Sequence, residues 1–357
     1  MNSSVAPDGV SPALAAKTSY DVPLADRTTL RIGGPARTLV TVETEAELIE
    51  AVRTADAAGE PVLLLSGGSN VVIADDGFDG TVIQVATTGV RVESDACSGA
   101  MVRVAAGEDW DELVVRAIDE GWSGIESMSG VPGLVGSTPI QNVGAYGHDV
   151  SETIASVRVW DRVDGAVRTI AAADCGFSYR HSRFKADPAR CVVLEVAFQL
   201  PLGSLSAPVG YGELARTLGV ESGARAPMAE VREAVLGLRR GKGMVLDPDD
   251  HDTWSAGSFF TNPIVDPSVV PEGAPRWPER DGKVKTSAAW LIEQAGVRKG
   301  YAIGDAAVST KHTLALTNRG GATAKDLLAL ASYIRDQVRD TFGITLVNEP
   351  VLVNCAL

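Results

Sequence analysis

Apolar side chains recur at helical spacing in several stretches of the chain. Thr44 stands three residues before Glu47 in a capping-box pattern. Leu48, Ala51, Val52 and Ala55 then follow one helical turn apart, and Gly59 offers a stop. Trp110, Leu113, Val114, Ala117 and Ile118 predict a helix over 108–120, closed by Gly121. Val231, Ala234, Val235 and Leu238 predict another over 228–240. Two more are predicted over 287–295 and 323–342, the last with Leu327, Leu330, Ala331, Ile334 and Val338 facing inward. Short apolar runs predict strands over 39–42, 61–65, 71–74, 81–85, 157–160, 167–170 and 191–200, and a closing strand over 344–353. Several short strands per helix, without the strict βαβ alternation of a doubly wound sheet, predict an α+β or mixed α/β protein, α+β being the class expected.

One stretch breaks both rhythms. Residues 130–147 read GVPGLVGSTPIQNVGAYG, with glycines and prolines interleaved with Val131, Leu134, Val135, Ile140 and Val143. A flexible linker would be polar or Ser-rich, whereas this segment carries enough apolar surface to pack. Glycine lets a backbone approach a ligand closely and adopt positive φ. Few polar groups are present: Ser137, Thr138, Gln141 and Asn142. Such a main-chain surface suits a large, flat, hydrogen-bonding ligand such as the isoalloxazine of a flavin. It also suits a glycine-rich connection between strands.

The 357 residues allow two or three domains, and 45% hydrophobic with 22% charged residues is ordinary for a globular protein. The net charge of −14 argues against nucleic acid or an anionic membrane as partner. Two basic clusters break that balance: Arg180, Arg183 and Lys185, then Arg239, Arg240 and Lys242. They point to a specific anionic ligand or to a solvated basic face. Cys97, Cys175, Cys191 and Cys355 lie far apart, as do His148, His181, His251 and His312, so no metal site is expected. Free thiols fit a reducing, cytoplasmic setting. Residues 1–22 lack the basic start and apolar core of a signal peptide and read as a loose tail. No apolar run reaches the ~20 residues of a membrane span.

Four short segments could carry chemistry. Ser66, Gly67, Gly68, Ser69 and Asn70 lie between two strands, where successive N–H groups of a Gly-Gly turn could form a nest for a phosphate or serve only as a hairpin turn. Ser258, in SAGSFFTNP, follows Gly257 and precedes Phe259 and Phe260. It is either a positioned hydroxyl able to donate a proton in a dry site or an ordinary turn serine. Glu349, in NEP, is a carboxylate among Ile344, Leu346, Val351 and Val353. That is costly to bury without a partner, unless it faces solvent from an edge strand. Tyr179 and Arg180, in YRHSRFK, could bind an anion through a planar guanidinium fork.

The order of these segments is more specific than any one of them. SGGSN, VPGLVGSTPIQNVGAYG, YRHSRFK, YGEL at 211–214, Lys242 before LDP, AGSFFTNP, WLIEQAG at 290–296 and NEP follow one another. This series resembles the UDP-N-acetylenolpyruvoylglucosamine reductase family, in its type I branch, from about residue 24 to 353. The resemblance implies an FAD-binding region of the vanillyl-alcohol-oxidase (PCMH) type over 23–203, in two lobes of about 23–92 and 93–203. It further implies a substrate-binding region over 204–342 and a strand within 343–357 returning to the FAD-binding region. It implies non-covalent FAD, reduction by NADPH, and UDP-N-acetylglucosamine enolpyruvate as substrate in peptidoglycan precursor synthesis. Ser66 to Asn70 would hold the FAD pyrophosphate. Pro132, Gly133, Gly136, Ser137, Ile140, Gly144, Ala145 and Tyr146 would line the flavin. Arg180 matches the arginine that polarises the substrate carboxylate, Glu349 the glutamate beside it, and Ser258 the proton donor. A protonated Glu349, or one paired with Arg180, would resolve the buried-carboxylate problem. Tyr179, Tyr211, Lys242, Asn262 and Gln294 match substrate contacts. A cytoplasmic monomer is expected. The match is looser over 309–318, and the Pro-rich insert over 265–282 has no counterpart. Two rival readings are a sugar-lactone oxidase of the same fold and a flavin- or nucleotide-sugar-binding protein without turnover. Neither would require Ser258, Arg180 and Glu349 together.

Overall fold

The computed structural model describes residues 11–357. Residues 1–10, part of the expected loose tail, lie outside the described residues. The remainder of that tail is ordered, which corrects the expectation. Ser11 caps a one-turn helix, Pro12–Ala15, with its hydroxyl accepting the Leu14 N–H. Leu14 is buried in a hydrophobic core, and Lys17 bonds Glu47 at 2.7 Å. Thr18–Pro23 is then the outer strand of a four-stranded sheet.

The chain forms two compact units from interleaved segments. The first takes residues up to Val22, then Ala36–Gly67 and Asp79–Arg240. The second takes Pro23–Pro35, Gly68–Phe78 and Gly241–Leu357. The division implied by the resemblance runs instead in consecutive segments up to residue 342, with only the C-terminal strand returning to an earlier region.

The first unit holds two large sheets besides the two-stranded pair of Gly144–Ala145 with His148–Asp149. In one, the strands run in the order Thr18–Pro23, Pro35–Val42, Phe78–Val85, Val62–Leu65. Helix Glu45–Ala57 covers it, started by the predicted Thr44/Glu47 capping box. The other is a five-stranded antiparallel sheet ordered Ala166–Ala171, Ile154–Asp161, Cys191–Leu200, Gly99–Ala105, Val90–Asp95. Helix Trp110–Asp119 places Trp110, Leu113, Val114 and Ala117 in the core, where the Trp110 and Phe198 rings stand 6.0 Å apart. Burying Leu113 or Val114 stabilises the unit by roughly 1.5–3 kcal/mol each.

In the second unit, Ser255–Ser258, Ala315–Asn318, Ala306–Val308 and Ala302–Ile303 form a four-stranded sheet. Helix Ala324–Phe342 buries Leu327, Leu330, Ala331, Ile334 and Val338, matching the predicted stripe. The Pro-rich insert is structured: Ile264–Val265, Val284–Thr286 and Arg276–Pro278 form a three-stranded antiparallel sheet. The closing strand is shorter than predicted. Only Val351–Val353 is a strand, parallel to Val71–Ile73. Pro350 has no N–H for a ladder, and the residues before it spend their backbone bonds elsewhere, as in the Glu349 N–H donation to the Phe259 carbonyl.

Candidate active site

The glycine block belongs to the first unit and is anchored along its length. The Gly133 carbonyl accepts the Trp110 N–H at 3.1 Å. The Val135 and Gly136 N–H groups donate to the carbonyls of Glu108 and Ala106, both at 2.8 Å. Ser137 and Thr138 turn their hydroxyls onto the Leu134 and Val135 carbonyls. The glycine density has a specific cause at two positions. A Cβ on Gly136 would lie 2.5 Å from that of Ala106, and one on Gly144 2.6 Å from that of Asp149. These two glycines serve packing of the chain against itself. Gly67 also meets this block, since a Cβ there would fall 2.8 Å from the Gly133 Cα. The segment 66–70 is no hairpin turn. Val62–Leu65 pairs with Phe78–Val85, and Val71–Ile73 pairs with Val351–Val353.

Arg180 sits at the tip of a tight turn in which Ser178 and His181 exchange both backbone hydrogen bonds at 3.1 Å. Its φ of +52° is unfavourable for a non-glycine residue and must be held by its surroundings. The hold is visible. Nη2 donates to the Gly144 carbonyl at 2.7 Å and Nη1 to the Asn142 carbonyl at 3.3 Å. The guanidinium carbon lies 5.4 Å from the Tyr179 ring centre. Lys185 Nζ donates to the Arg180 carbonyl, and the Ser182 hydroxyl donates to the Ile140 carbonyl. Thus YRHSRFK and PIQNVGAYG, distant in sequence, form one framework around a positioned guanidinium.

Tyr146, at φ +50°, meets the Tyr211 ring edge-on at 5.5 Å. Burial pushes its phenol up to about 12, against the opposing field of Arg239. Arg239 is buried, and its Nε donates to the Gly130 carbonyl at 3.2 Å. Sequence reasoning noted Arg239 only as part of a basic cluster, and it missed Asp111 entirely. Asp111 accepts the Gly130 N–H at 2.6 Å and both Arg232 guanidinium nitrogens at 2.7 and 2.8 Å. Burial alone would raise its pKa, but these donors hold its carboxyl below the ordinary carboxylate range.

His148 is a second element missed as a functional device. Nδ1 faces Glu152 at 2.6 Å and Nε2 the Pro208 carbonyl at 2.9 Å. Both partners accept, so the imidazolium with two N–H groups fits best. Burial would lower its pKa, yet Glu152 and the Pro208 carbonyl together raise it above the usual 6.5. The stabilisation is therefore complete below the unfolded value and is lost as pH rises through the folded one. His148→Gln should lower the melting temperature more at pH 5.5 than at pH 8.5. An equal loss at both pH values would show that the charge contributes nothing.

The second unit carries Ser258 and Glu349. Ser258 ends the strand Ser255–Ser258, opposite Ala315, after a register irregularity that contains Gly257 at φ +70°. A β-bulge of this kind re-aims the side chain that follows it, so Ser258 is the product of a bulge rather than of a simple turn. Phe259 and Phe260 are buried behind it, their rings 5.1 Å apart. The Glu349 N–H donates to the Phe259 carbonyl at 2.8 Å, and the Val351 N–H to the Asn70 carbonyl at 3.0 Å. Asn70 Nδ2 lies 3.5 Å from the Glu349 carbonyl. Ser258, Glu349 and Asn70 are thus neighbours through their backbones. Glu349 is half-buried and precedes the strand, neither within it nor fully solvated. Asn262 uses its carbonyl oxygen to accept the first N–H of helix Ala288–Gln294 at 3.0 Å, and Gln294 is exposed at the other end of that helix. Lys242 is half-buried just after helix Met228–Gly241. Among the described residues no cluster of His, Cys, Asp or Glu could hold a metal ion, and no helix is long and apolar enough to cross a membrane.

Residues 36–171 match a family described as "FAD binding domain", and residues 247–353 match "UDP-N-acetylenolpyruvoylglucosamine reductase, C-terminal domain". The α+β fold and these matches define a flavoprotein oxidoreductase with an FAD-binding region of the vanillyl-alcohol-oxidase type. The UDP-N-acetylenolpyruvoylglucosamine reductase of Cutibacterium acnes is 60% identical over 340 residues, covering 94% of this chain and 90% of that protein. The protein of the same name from Streptomyces avermitilis is 56% identical, with 95% of each chain covered. The crystal structure of UDP-N-acetylenolpyruvylglucosamine reductase from Thermus caldophilus aligns with a TM-score of 0.64 at 28% identity, covering 93% of this chain and 97% of that one. This chain belongs to the UDP-N-acetylenolpyruvoylglucosamine reductase family.

The residues present fit FAD. The Ser66 hydroxyl is buried without a hydrogen-bond partner among the described residues, as a donor awaiting a phosphate oxygen would be. Gly68, at φ +61°, could carry no side chain, since its Cβ would lie 1.9 Å from the Arg27 carbonyl oxygen. Gly67 and Gly68 thus let the segment 66–70 pack directly on the Gly133 and Arg27 backbones, which fixes the position of Ser66.

Proposed function

We propose that this enzyme reduces UDP-N-acetylglucosamine enolpyruvate to UDP-N-acetylmuramate at the expense of NADPH. FAD, when bound, would supply the hydride chemistry that links NADPH to the terminal carbon of the enol ether. Ser66, Gly67, Gly68, Ser69 and Asn70 hold the FAD pyrophosphate. Pro132, Gly133, Gly136, Ser137, Ile140, Gly144, Ala145 and Tyr146 shape the surface against its ring. Binding is non-covalent: both His148 nitrogens already face acceptors, so the one histidine beside the block is occupied.

As hydride arrives, negative charge develops on the adjacent carbon and spreads into the substrate carboxylate. Arg180 opposes that charge with a guanidinium fixed on two carbonyls, so little reorganisation is needed at the moment of reaction. Glu349 stands beside the carboxylate, and the Ser258 hydroxyl delivers its proton to the carbanionic carbon. Serine is a weak acid and can serve only against a strongly basic carbon where water is excluded. Tyr179, Tyr211, Lys242, Asn262 and Gln294 contact the UDP-sugar, with Lys242 a point charge for the diphosphate. The same reading makes the protein a cytoplasmic monomer that binds neither nucleic acid nor membrane, which the net charge of −14 supports.

The observation that carries this reading is the junction of Ser258 and Glu349. Two segments remote in sequence are joined by the 2.8 Å bond from Glu349 N–H to the Phe259 carbonyl. Anaerobic stopped-flow absorbance tests it. NADPH should bleach a yellow flavin spectrum, and the enolpyruvyl UDP-sugar should restore it without oxygen. Bleaching that the UDP-sugar does not reverse would favour an oxidase, and a colourless protein that takes up no FAD would defeat the reading.

A further inference from the structure

Two helices of the first unit close on a single peptide at the start of the glycine block. Asp111 lies in the first turn of helix Trp110–Asp119, and Arg232 and Arg239 lie two turns apart on helix Met228–Gly241. Gly130 is gripped from both sides: its N–H by Asp111 at 2.6 Å and its carbonyl by Arg239 Nε at 3.2 Å. Gly130 has φ +69°, a conformation that other residues rarely adopt, so this peptide is a fixed corner. Asp111 also ties the two helices together through its two-point contact with Arg232. Arg239 is only 8% exposed, and a cation so buried acts through a medium that screens poorly. The three charged groups sum to one positive charge, delivered at the root of the segment that bears Tyr146.

We propose that Asp111 is a positioning residue for the flavin step. Through Gly130 it fixes the start of the ring-binding segment and the pose of Arg239, and its charge sets how much of the Arg232 and Arg239 field that segment feels. The inference rests on the reading that residues 130–147 receive FAD. Reduced flavin carries more negative charge than oxidised flavin, so a more positive surround favours the reduced form.

Asp111→Asn and Asp111→Ala separate the two effects. In Asp111→Asn the amide oxygen can still accept the Gly130 N–H while the negative charge is gone. FAD affinity, read by titrating apoprotein and following flavin fluorescence, should stay within about threefold of wild type, and the midpoint potential, read against a reference dye, should become more positive. In Asp111→Ala the acceptor is lost as well, and FAD affinity should fall about tenfold, the effect of one lost hydrogen bond to a charged group. A merely structural Asp111 would lower the melting temperature without moving the potential. The inference is overturned if Asp111→Asn keeps the wild-type potential, or if Asp111→Ala binds FAD within twofold of wild type. Should Asp111→Ala fail to fold, the potential of Asp111→Asn decides alone. Failure of the flavin reading itself would be seen separately, as wild-type apoprotein that takes up no FAD.

Discussion

Ser258→Ala should retain bound FAD and full-speed bleaching by NADPH, yet lose about 10²–10⁴-fold in the rate at which the enolpyruvyl substrate reoxidises the flavin. The side chain lost is one hydroxyl at the end of a strand, and the buried Phe259 and Phe260 that fix the strand are untouched. The melting temperature should therefore barely move. Solvent deuterium should slow reoxidation in the wild type, where a proton is delivered as the carbanion forms, and the isotope effect should change in the variant. Rapid-mixing traces of the two half-reactions read both outcomes. An unaltered reoxidation rate in Ser258→Ala would remove the proton-donor role.

Arg180→Lys should cost about 10²–10³-fold in kcat/KM for the enolpyruvyl substrate. Lysine keeps the charge but not the planar fork that reaches the carbonyls of Gly144 and Asn142 together. The loss should fall mainly on kcat, because the charge that Arg180 opposes is greatest in the transition state. NADPH should still bleach the flavin at a near-normal rate. A variant with raised KM and unchanged kcat would make Arg180 a binding residue rather than a stabiliser of developing charge.

Local patterning revealed the helices well, because each couples a cap to an apolar stripe. Thr44 with Glu47, and Thr323 at the head of the long helix, sit at the observed starts. The strand Val90–Asp95 was illegible for the opposite reason. Five of its six residues are exposed, so it carries no buried alternation, and it exists by pairing with Gly99–Ala105. The order of motifs singled out Ser258, Arg180 and Glu349 as candidates, but not what positions them. Nothing local predicts that Gly257 forms a bulge or that Arg180 adopts a positive φ held by two distant carbonyls. The Asp111–Arg232 contact spans 121 residues, and before folding each is one more charge on an amphipathic helix.

The interleaving of the two units has a consequence for how the chain is made. The second unit draws on residues 23–35 and 68–78, yet most of it lies beyond residue 240. Val71–Ile73 finds its strand partner only in Val351–Val353. On the ribosome, those early apolar segments must wait for nearly the whole chain before they can be covered, and closing so long a loop is slow. During that interval Val72 and Ile73, both fully buried at the end, are open to other partners. The first unit can gather much of its core beforehand, so synthesis should pass through a half-folded state with a sticky edge, a natural client for a chaperone.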